Sequence, residues 1–267
     1  MDQKSNNFVF VDSHAHIDFD SFDNDRDQVV QNARLAKLGA IVNIGVNLET
    51  SKKSIALAEK YDMLYASVGV HPHDAHEIPE VMWTQFRELY RHPGVVAMGE
   101  FGLDYYRNYS PHDIQQKTLV RQLDLAVEFG LPVVIHTRNA WPDMLRIVSS
   151  EAYRGKVRGV FHCFSGSAEQ AKSVLDLGYH ISFTGVVTFK NSTALTIAAN
   201  YVPLDRLMLE TDCPFMAPEP HRGKRCEPAY IPLIAEKIAS ARGIALSVLA
   251  NQTTDNAARL FGIEIVK

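Results

Sequence analysis

The chain has 267 residues, 46% hydrophobic and 22% charged, enough for one large core or two modest domains. Its 27 basic and 31 acidic residues give a formal net charge of −4, which argues against a DNA-coating surface but allows a pocket for one phosphate or nucleic-acid end. No apolar run reaches membrane-spanning length, the start MDQKSNN does not resemble a signal peptide, and three cysteines without CxxC spacing suit a reducing cytosol rather than disulfides or a cysteine zinc site.

Eight short apolar runs follow, most succeeded by a polar turn and a helical pattern. The first, FVFVD, leads into DSHAHID. Residues i and i+2 of a strand point to one side, so His14 and His16 converge on one point, with Asp12 and Asp18 beside them. AIVNIGV and LYASVGV come next, the latter running into GVHPHD with His71, His73 and Asp74. GVVAMGE ends at Glu100, before LDYYRNYS with Tyr105, Tyr106, Arg107 and Tyr109; His112 beyond it reads as a surface residue. DIQQKTLVRQLDLAVEFG keeps Leu119, Leu123, Ala126 and Val127 at helical spacing and stops at Gly130. LPVVIH and VRGVFH end on His136 and His162, with Arg138 on the loop after the former. By strand alternation Cys163 and Cys213 point away from these ligands and read as packing residues. SAEQAKSVLDLG is again helical, with Ser167 as N-cap and Gly178 just past the end. YHISF and RLMLE complete the set, the last leading to Asp212. The loop APEPHRGKRCEP concentrates Arg222, Lys224 and Arg225; IPLIAEKIASARG and ALSVLANQTTDNAARLFG read as helices packed against the barrel or closing one end.

Apolar runs alternating with helices indicate parallel strands buried on both faces, and eight such units in this length suit an α/β fold, a TIM-type (β/α)8 barrel. An open doubly wound sheet is the alternative, disfavoured because neither GxGxxG nor a P-loop is present. No linker divides the chain, so one hydrolase barrel domain is expected over 1–267. The C-terminal strand ends of a barrel ring one mouth, which would bring His14, His16, Glu100, His136, His162 and Asp212 together. Six ligands exceed the needs of one tetrahedral ion. Two divalent ions sharing Glu100 fit better: His14, His16, Glu100 and Asp212 around the first, and Glu100, His136 and His162 around the second. The donors suit zinc, manganese, nickel or iron and do not exclude magnesium. Such a pair can activate water for displacement at phosphorus, with Asp212 taking the proton or orienting the nucleophile. His71, facing inward, would contact a phosphate oxygen or protonate the leaving oxygen. His73, Arg138, Arg222, Lys224 and Arg225 are candidate substrate contacts, and Tyr105 a ring on which a base can stack.

The combination resembles the TatD family of metal-dependent deoxyribonucleases, among the barrel hydrolases with histidine-rich metal centres. DSHAHID, GVHPHD, GEFGLDYY, PVVIHTR, FHCFSG, ETDCPFMAP, PHRGKRCEP and TTDNAARLFG carry the resemblance, which covers essentially the whole chain. It implies a distorted barrel, one or two divalent metals with magnesium as the activating ion, and cytoplasmic hydrolysis of DNA. Single strands would be trimmed from the 3′ end, with links to DNA repair, no membrane role and no obligate protein partner. On the family's pattern His14 and His16 match the first-strand ligands, Glu100 the bridging carboxylate, His136 and His162 the ligands of the second ion, and Asp212 the last ligand of the first. Two departures stand out: Cys226 where asparagine usually precedes Glu-Pro, which bears on substrate preference, and Cys213 where serine is usual. The competing readings are a barrel amidohydrolase or esterase and a D-aminoacyl-tRNA deacylase with the same metals. Many such amidohydrolases bridge their ions with a carboxylated lysine; Glu100 in that slot and the basic loop favour a phosphorus substrate.

Overall fold

Parallel strands form at the eight apolar runs: β1 (Phe10–Ala15), β2 (Leu38–Ile44), β3 (Leu64–Val68), β4 (Val95–Asp104), β5 (Val133–Arg138), β6 (Gly159–Phe161), β7 (His180–Phe183) and β8 (Leu207–Leu209). The computed structural model describes residues 8–266; the start MDQKSNN and Lys267 lie outside the described residues. The strands pair in chain order, each parallel to the next. The ring closes between β1 and the segment after β8, where Asp212 N–H donates to the His14 carbonyl (2.9 Å) and His16 N–H to that of Cys213 (2.8 Å). The result is a nearly closed, distorted TIM-type barrel, with register breaks between β1 and β2, β3 and β4, and β4 and β5.

Three strands run further than their apolar residues suggest. β1 continues through His14 because its pairing with β2 reaches Ala15 and Asn43, and β4 and β5 through Glu100 and His136 because their ladder persists to the pair Asp104 and Arg138. The glycines of GEFGLD permit this close approach: a Cβ on Gly102 (φ 156°) would stand 1.9 Å from the His136 carbonyl oxygen, and one on Gly99 (φ 138°) 2.5 Å from that of Val134.

The helices are α1 (Arg26–Leu35), α2 (Leu48–Lys60), α3 (Glu80–Leu89), α4 (His112–Phe129), α5 (Trp141–Val148), α6 (Ala168–Asp176), α7 (Thr193–Tyr201), α8 (Ile231–Arg242) and α9 (Leu246–Phe261). α4 stops at left-handed Gly130 and α6 starts on a capping box at Ser167, as the sequence suggests. Val127 differs from its expected partners on α4 and is 40% exposed. None of the helices among the described residues is long and apolar enough to cross a membrane.

Two packed layers result. Outward-facing strand residues such as Ile41, Phe101 and Ile135 meet the helices. Inside the ring, Val11, Ala40, Val42, Ile44, Val134, Val160 and Met208 join Ala257, Leu260 and Phe261 of α9. Each large aliphatic so buried contributes about 1.5–3 kcal/mol. Thr254 and Asn256 of α9 donate to the carbonyls of Val9 and Leu207, so α9 closes the barrel at the strand starts. The strand ends stay open for chemistry.

Candidate metal centre

β1 presents His14 and His16 with their Nε2 atoms 3.1 Å apart. Asp212, from the seam after β8, places Oδ1 at 3.6 Å from His14 Nε2 and 3.5 Å from His16 Nε2. Glu100 lies between two groups of imidazoles. Its Oε2 is 3.4 Å from His14 Nε2 and 3.8 Å from His16 Nε2. Its Oε1 is 2.7 Å from His136 Nδ1, 2.7 Å from His162 Nε2 and 3.4 Å from His71 Nε2. Three sets are close enough to share an ion: His14, His16 and Asp212; His14, Glu100 and His162; His71, Glu100 and His136. The six sequence-derived ligand candidates therefore meet in one place, and His71 joins them.

The hydrogen bonds behind the rings test whether these donors suit a cation. His16 Nδ1 meets the Ile44 carbonyl at 3.1 Å, which holds the proton there and leaves the Nε2 lone pair facing inward. His136 Nε2 points at Asp104 Oδ2 (3.3 Å), leaving its Nδ1 lone pair toward Glu100. His14 is fully buried and its ring stacks on that of His162 at 4.0 Å. Inward lone pairs around two carboxylates suit one or more divalent ions with bonds near 2.0–2.2 Å. His71 is different. Its Nδ1 accepts the His73 backbone N–H (3.1 Å), so a neutral ring carries its proton on Nε2 and aims a donor at Glu100.

The charges follow from burial set against these contacts. Burial raises the Glu100 carboxyl, but the neighbouring imidazoles, His162 above all, outweigh it and hold the group well below the usual range. Asp212 is likewise held down against burial, by His16. Burial brings His71 down to about 4, so it stays neutral near pH 7.

Several supporting residues escaped the sequence reading. Asp104 is buried; its Oδ2 meets His73 Nε2 (2.9 Å) as well as His136, while its Oδ1 accepts the N–H groups of Tyr106 and Arg107. Glu210 accepts from Ser182 and from the Cys163 N–H, and its Oε1 lies 3.6 Å from His162 Nδ1. On the buried face of α4, Gln122 bonds both the N–H and the carbonyl of Val70, and Gln115 those of Asp104. These two glutamines fix the segments that carry His71 and Asp104. A two-residue period from Glu100 to Asp104, and from Asp212 back to Glu210, was the available signal.

A cavity of about 800 Å³ opens onto the centre. His71, His73 and Arg138 line it, together with Glu100, His136, His162 and Asp212. Tyr105 does not: its hydroxyl bonds Asp143 (2.9 Å) and its ring stacks on His112. Arg225 also stands outside, tied by its guanidinium to both oxygens of Asp25. Arg222 lies over the ring of Phe189, itself a cavity residue, and Lys224 is exposed in the same loop. Cys163 corrects an expectation. Its φ of 43° breaks strand alternation and brings the residue into the cavity wall, where burial and the carboxylates of Asp212 and Glu210 push the thiol well up. A thiol so raised is no nucleophile. Cys213 and Cys226 are fully buried in the core, so the exchange at Cys226 lies beneath the loop and outside the cavity wall.

Residues 11–262 match the family described as TatD related DNase. The chain is 41% identical over 255 residues to the uncharacterized metal-dependent hydrolase YabD of Bacillus subtilis (strain 168), spanning 96% of this chain and 100% of that protein. It is 36% identical over 247 residues to a Cronobacter sakazakii protein named 3′-5′ ssDNA/RNA exonuclease TatD, spanning 90% and 93%. Among solved structures, YjjV, a TatD homolog from Escherichia coli K12, is similar with a TM-score of 0.90 at 30% identity, over 96% of this chain and 98% of that one.

Proposed function

The chain belongs to the TatD-related DNase family of metal-dependent hydrolases, and from that premise we propose that it hydrolyses phosphodiester bonds of DNA, trimming single strands from the 3′ end. The carrying observation is Glu100, whose two oxygens face two different groups of imidazoles. One buried carboxylate in that position suits two divalent ions, with His14, His16, Glu100 and Asp212 around one and Glu100, His136 and His162 around the other. Magnesium follows from the resemblance, while the imidazoles also suit zinc, manganese, nickel or iron. When bound, the ions supply charge that activates water and neutralises phosphoryl oxygens.

The chain's own groups supply the remaining steps. Asp212, kept ionised by His16, orients the attacking water or takes its proton. His71 aims Nε2–H into the centre and, being neutral, donates a hydrogen bond to a phosphoryl or departing oxygen rather than giving up its proton. His73 and Arg138 contact the substrate from the same cavity wall. The Cronobacter exonuclease supports the substrate class and polarity. Free Cys163, Cys213 and Cys226 suit a reducing cytoplasm, and the whole of 1–267 acts as one hydrolase domain.

A 5′-labelled single-stranded oligonucleotide, incubated with and without each divalent ion, should give a metal-dependent ladder shortening from the 3′ end. A paired duplex should be cut more slowly. No cleavage under any ion, with turnover instead of an amide or ester panel or of D-aminoacyl-tRNA, would overturn the assignment.

A further inference from the structure

We propose that Arg107, Tyr106 and Arg138 form a clamp for the DNA backbone beyond the scissile phosphate, a site that rests on the nuclease assignment above. The guanidinium carbon of Arg138 lies 4.0 Å from the Tyr106 ring centroid, and that of Arg107 5.6 Å from the same centroid. Among the described residues lining the cavity, Arg107 and Arg138 are the two arginines, and no lysine joins them. Neither guanidinium makes an ion pair among the described residues, whereas Arg225 is tied to Asp25. Tyr106 is 55% exposed, so a ring flanked by two unneutralised cations faces solvent at the edge of the metal centre.

The clamp is indexed to that centre. The N–H groups of Tyr106 and Arg107 both donate to Asp104 Oδ1 at 2.9 Å, and Asp104 Oδ2 meets His136 Nε2. Arg138 follows His136 by two residues on β5, and the ladder pairs its backbone with Asp104. Both arginines are thus fixed in position relative to one candidate ligand. Across the barrel, after β7 and β8, the cavity wall is apolar: Val186, Phe189, Leu195, Phe215 and Met216. Within the cavity lining the arginines therefore stand on the β4–β5 side only, while Arg222, outside the lining, lies over the Phe189 ring. A polyanionic chain is drawn out over Arg107 and Arg138, and the apolar side is left for a base.

Two like charges around one ring repel until an anion lies with them. Arginine forks suit phosphate oxygens, and the ring can stack on a base or sugar face. The alternative is a surface cation–π contact that merely stiffens the loop. That role would lower the melting temperature slightly and leave DNA binding unchanged.

The test compares wild type with the double variant Arg107→Ala/Arg138→Ala, and with Arg107→Lys/Arg138→Lys. Anisotropy of a labelled single-stranded oligothymidylate is titrated against metal-free protein in EDTA at several salt concentrations. KM is then measured with activating metal on that oligonucleotide and on the p-nitrophenyl ester of thymidine 5′-phosphate. The alanine pair should bind roughly tenfold more weakly, with a log–log salt slope smaller by about one to two. Its KM should rise much further on the oligonucleotide than on the small ester, and the lysine pair should recover part of the loss. Unchanged affinity and slope would overturn the clamp, as would equal losses on both substrates. Cleavage by a wild type whose binding ignores the arginines sinks the clamp alone. Arginine-dependent binding without cleavage under any metal sinks the nuclease assignment alone.

Discussion

Asp212 donates its backbone N–H to the carbonyl of His14 at 2.9 Å, while Asp212 Oδ1 and His14 Nε2 stand 3.6 Å apart in the ligand cluster. The bond that closes the barrel and the side-chain pair that faces the cavity belong to the same two residues. Closing the ring thereby positions the ligands from the first strand and from the seam after the last, which about three quarters of the chain separates. Asp212 adopts φ 56°, a region in which Asp and Asn are the side chains most readily accommodated.

Asp212→Asn keeps that backbone and nearly the same shape but removes the charge. Turnover should fall by roughly 10²–10⁴-fold, the usual range for a lost acid–base group. The melting temperature in EDTA should change by no more than a few degrees. Steady-state kinetics beside circular dichroism melts decide the matter: near-normal turnover would remove Asp212 from its catalytic role.

Glu100→Ala should separate stability from metal binding. In wild type, each divalent ion at a hundredfold excess over its Kd should stabilise the fold by about 2.7 kcal/mol, through binding to the native state alone. In the variant that gain should collapse, because the carboxylate that faces both groups of imidazoles is gone, and turnover should become undetectable. Thermal melts with metal and with EDTA measure the difference, and an unchanged gain would place the ions elsewhere.

Asp104→Asn tests the support behind His136. Asparagine retains the shape but loses the negative charge of a carboxyl that His136 and His73, against burial, hold well below the usual carboxylate range. Removing such a partner typically costs 10–100-fold in metal affinity or activity. Isothermal titration with Mn²⁺ or Zn²⁺ should show the weaker binding, and unaltered affinity would reduce Asp104 to a loop anchor for Tyr106 and Arg107.

The barrel and its ligand candidates were legible because both depend on local patterns. Eight apolar runs fixed the strand count, and each ligand stood at the end of such a run. The residues that were harder to find broke those patterns. Cys163 turned into the cavity because a left-handed residue interrupts strand alternation. Asp104 belonged to a strand whose apolar run stops short of it, so its place on the Glu100 face went unread. Gln115 and Gln122 are polar residues on the buried side of α4, and a search for apolar periodicity counts them as gaps. Arg225 looked available to substrate because its partner, Asp25, lies 200 positions earlier in sequence. Long-range pairing of that kind leaves no local trace.

Acid sensitivity should have a source remote from the metal centre. His180, at the start of β7, is lowered to about 4, first by burial and then by Arg206 and Arg259, with a backbone hydrogen bond to Gly159 and, less, Asp205 opposing. Its Nδ1 has no hydrogen-bond partner among the described residues, so the protonated ring gains no compensating contact there. The unfolded chain takes up this proton near pH 6.5, while the folded chain resists until about pH 4. Between those values the unfolded state binds more protons, so stability falls as pH falls. His180→Gln removes the group in both states. The stability of wild type relative to His180→Gln should therefore be constant above about pH 6.5 and decline below it, by at most about 3 kcal/mol on approaching pH 4. Urea unfolding of both proteins in EDTA across that range isolates the effect, since the other titrating groups are shared and largely cancel. Parallel stability–pH curves would show that His180 takes up its proton equally well in the fold.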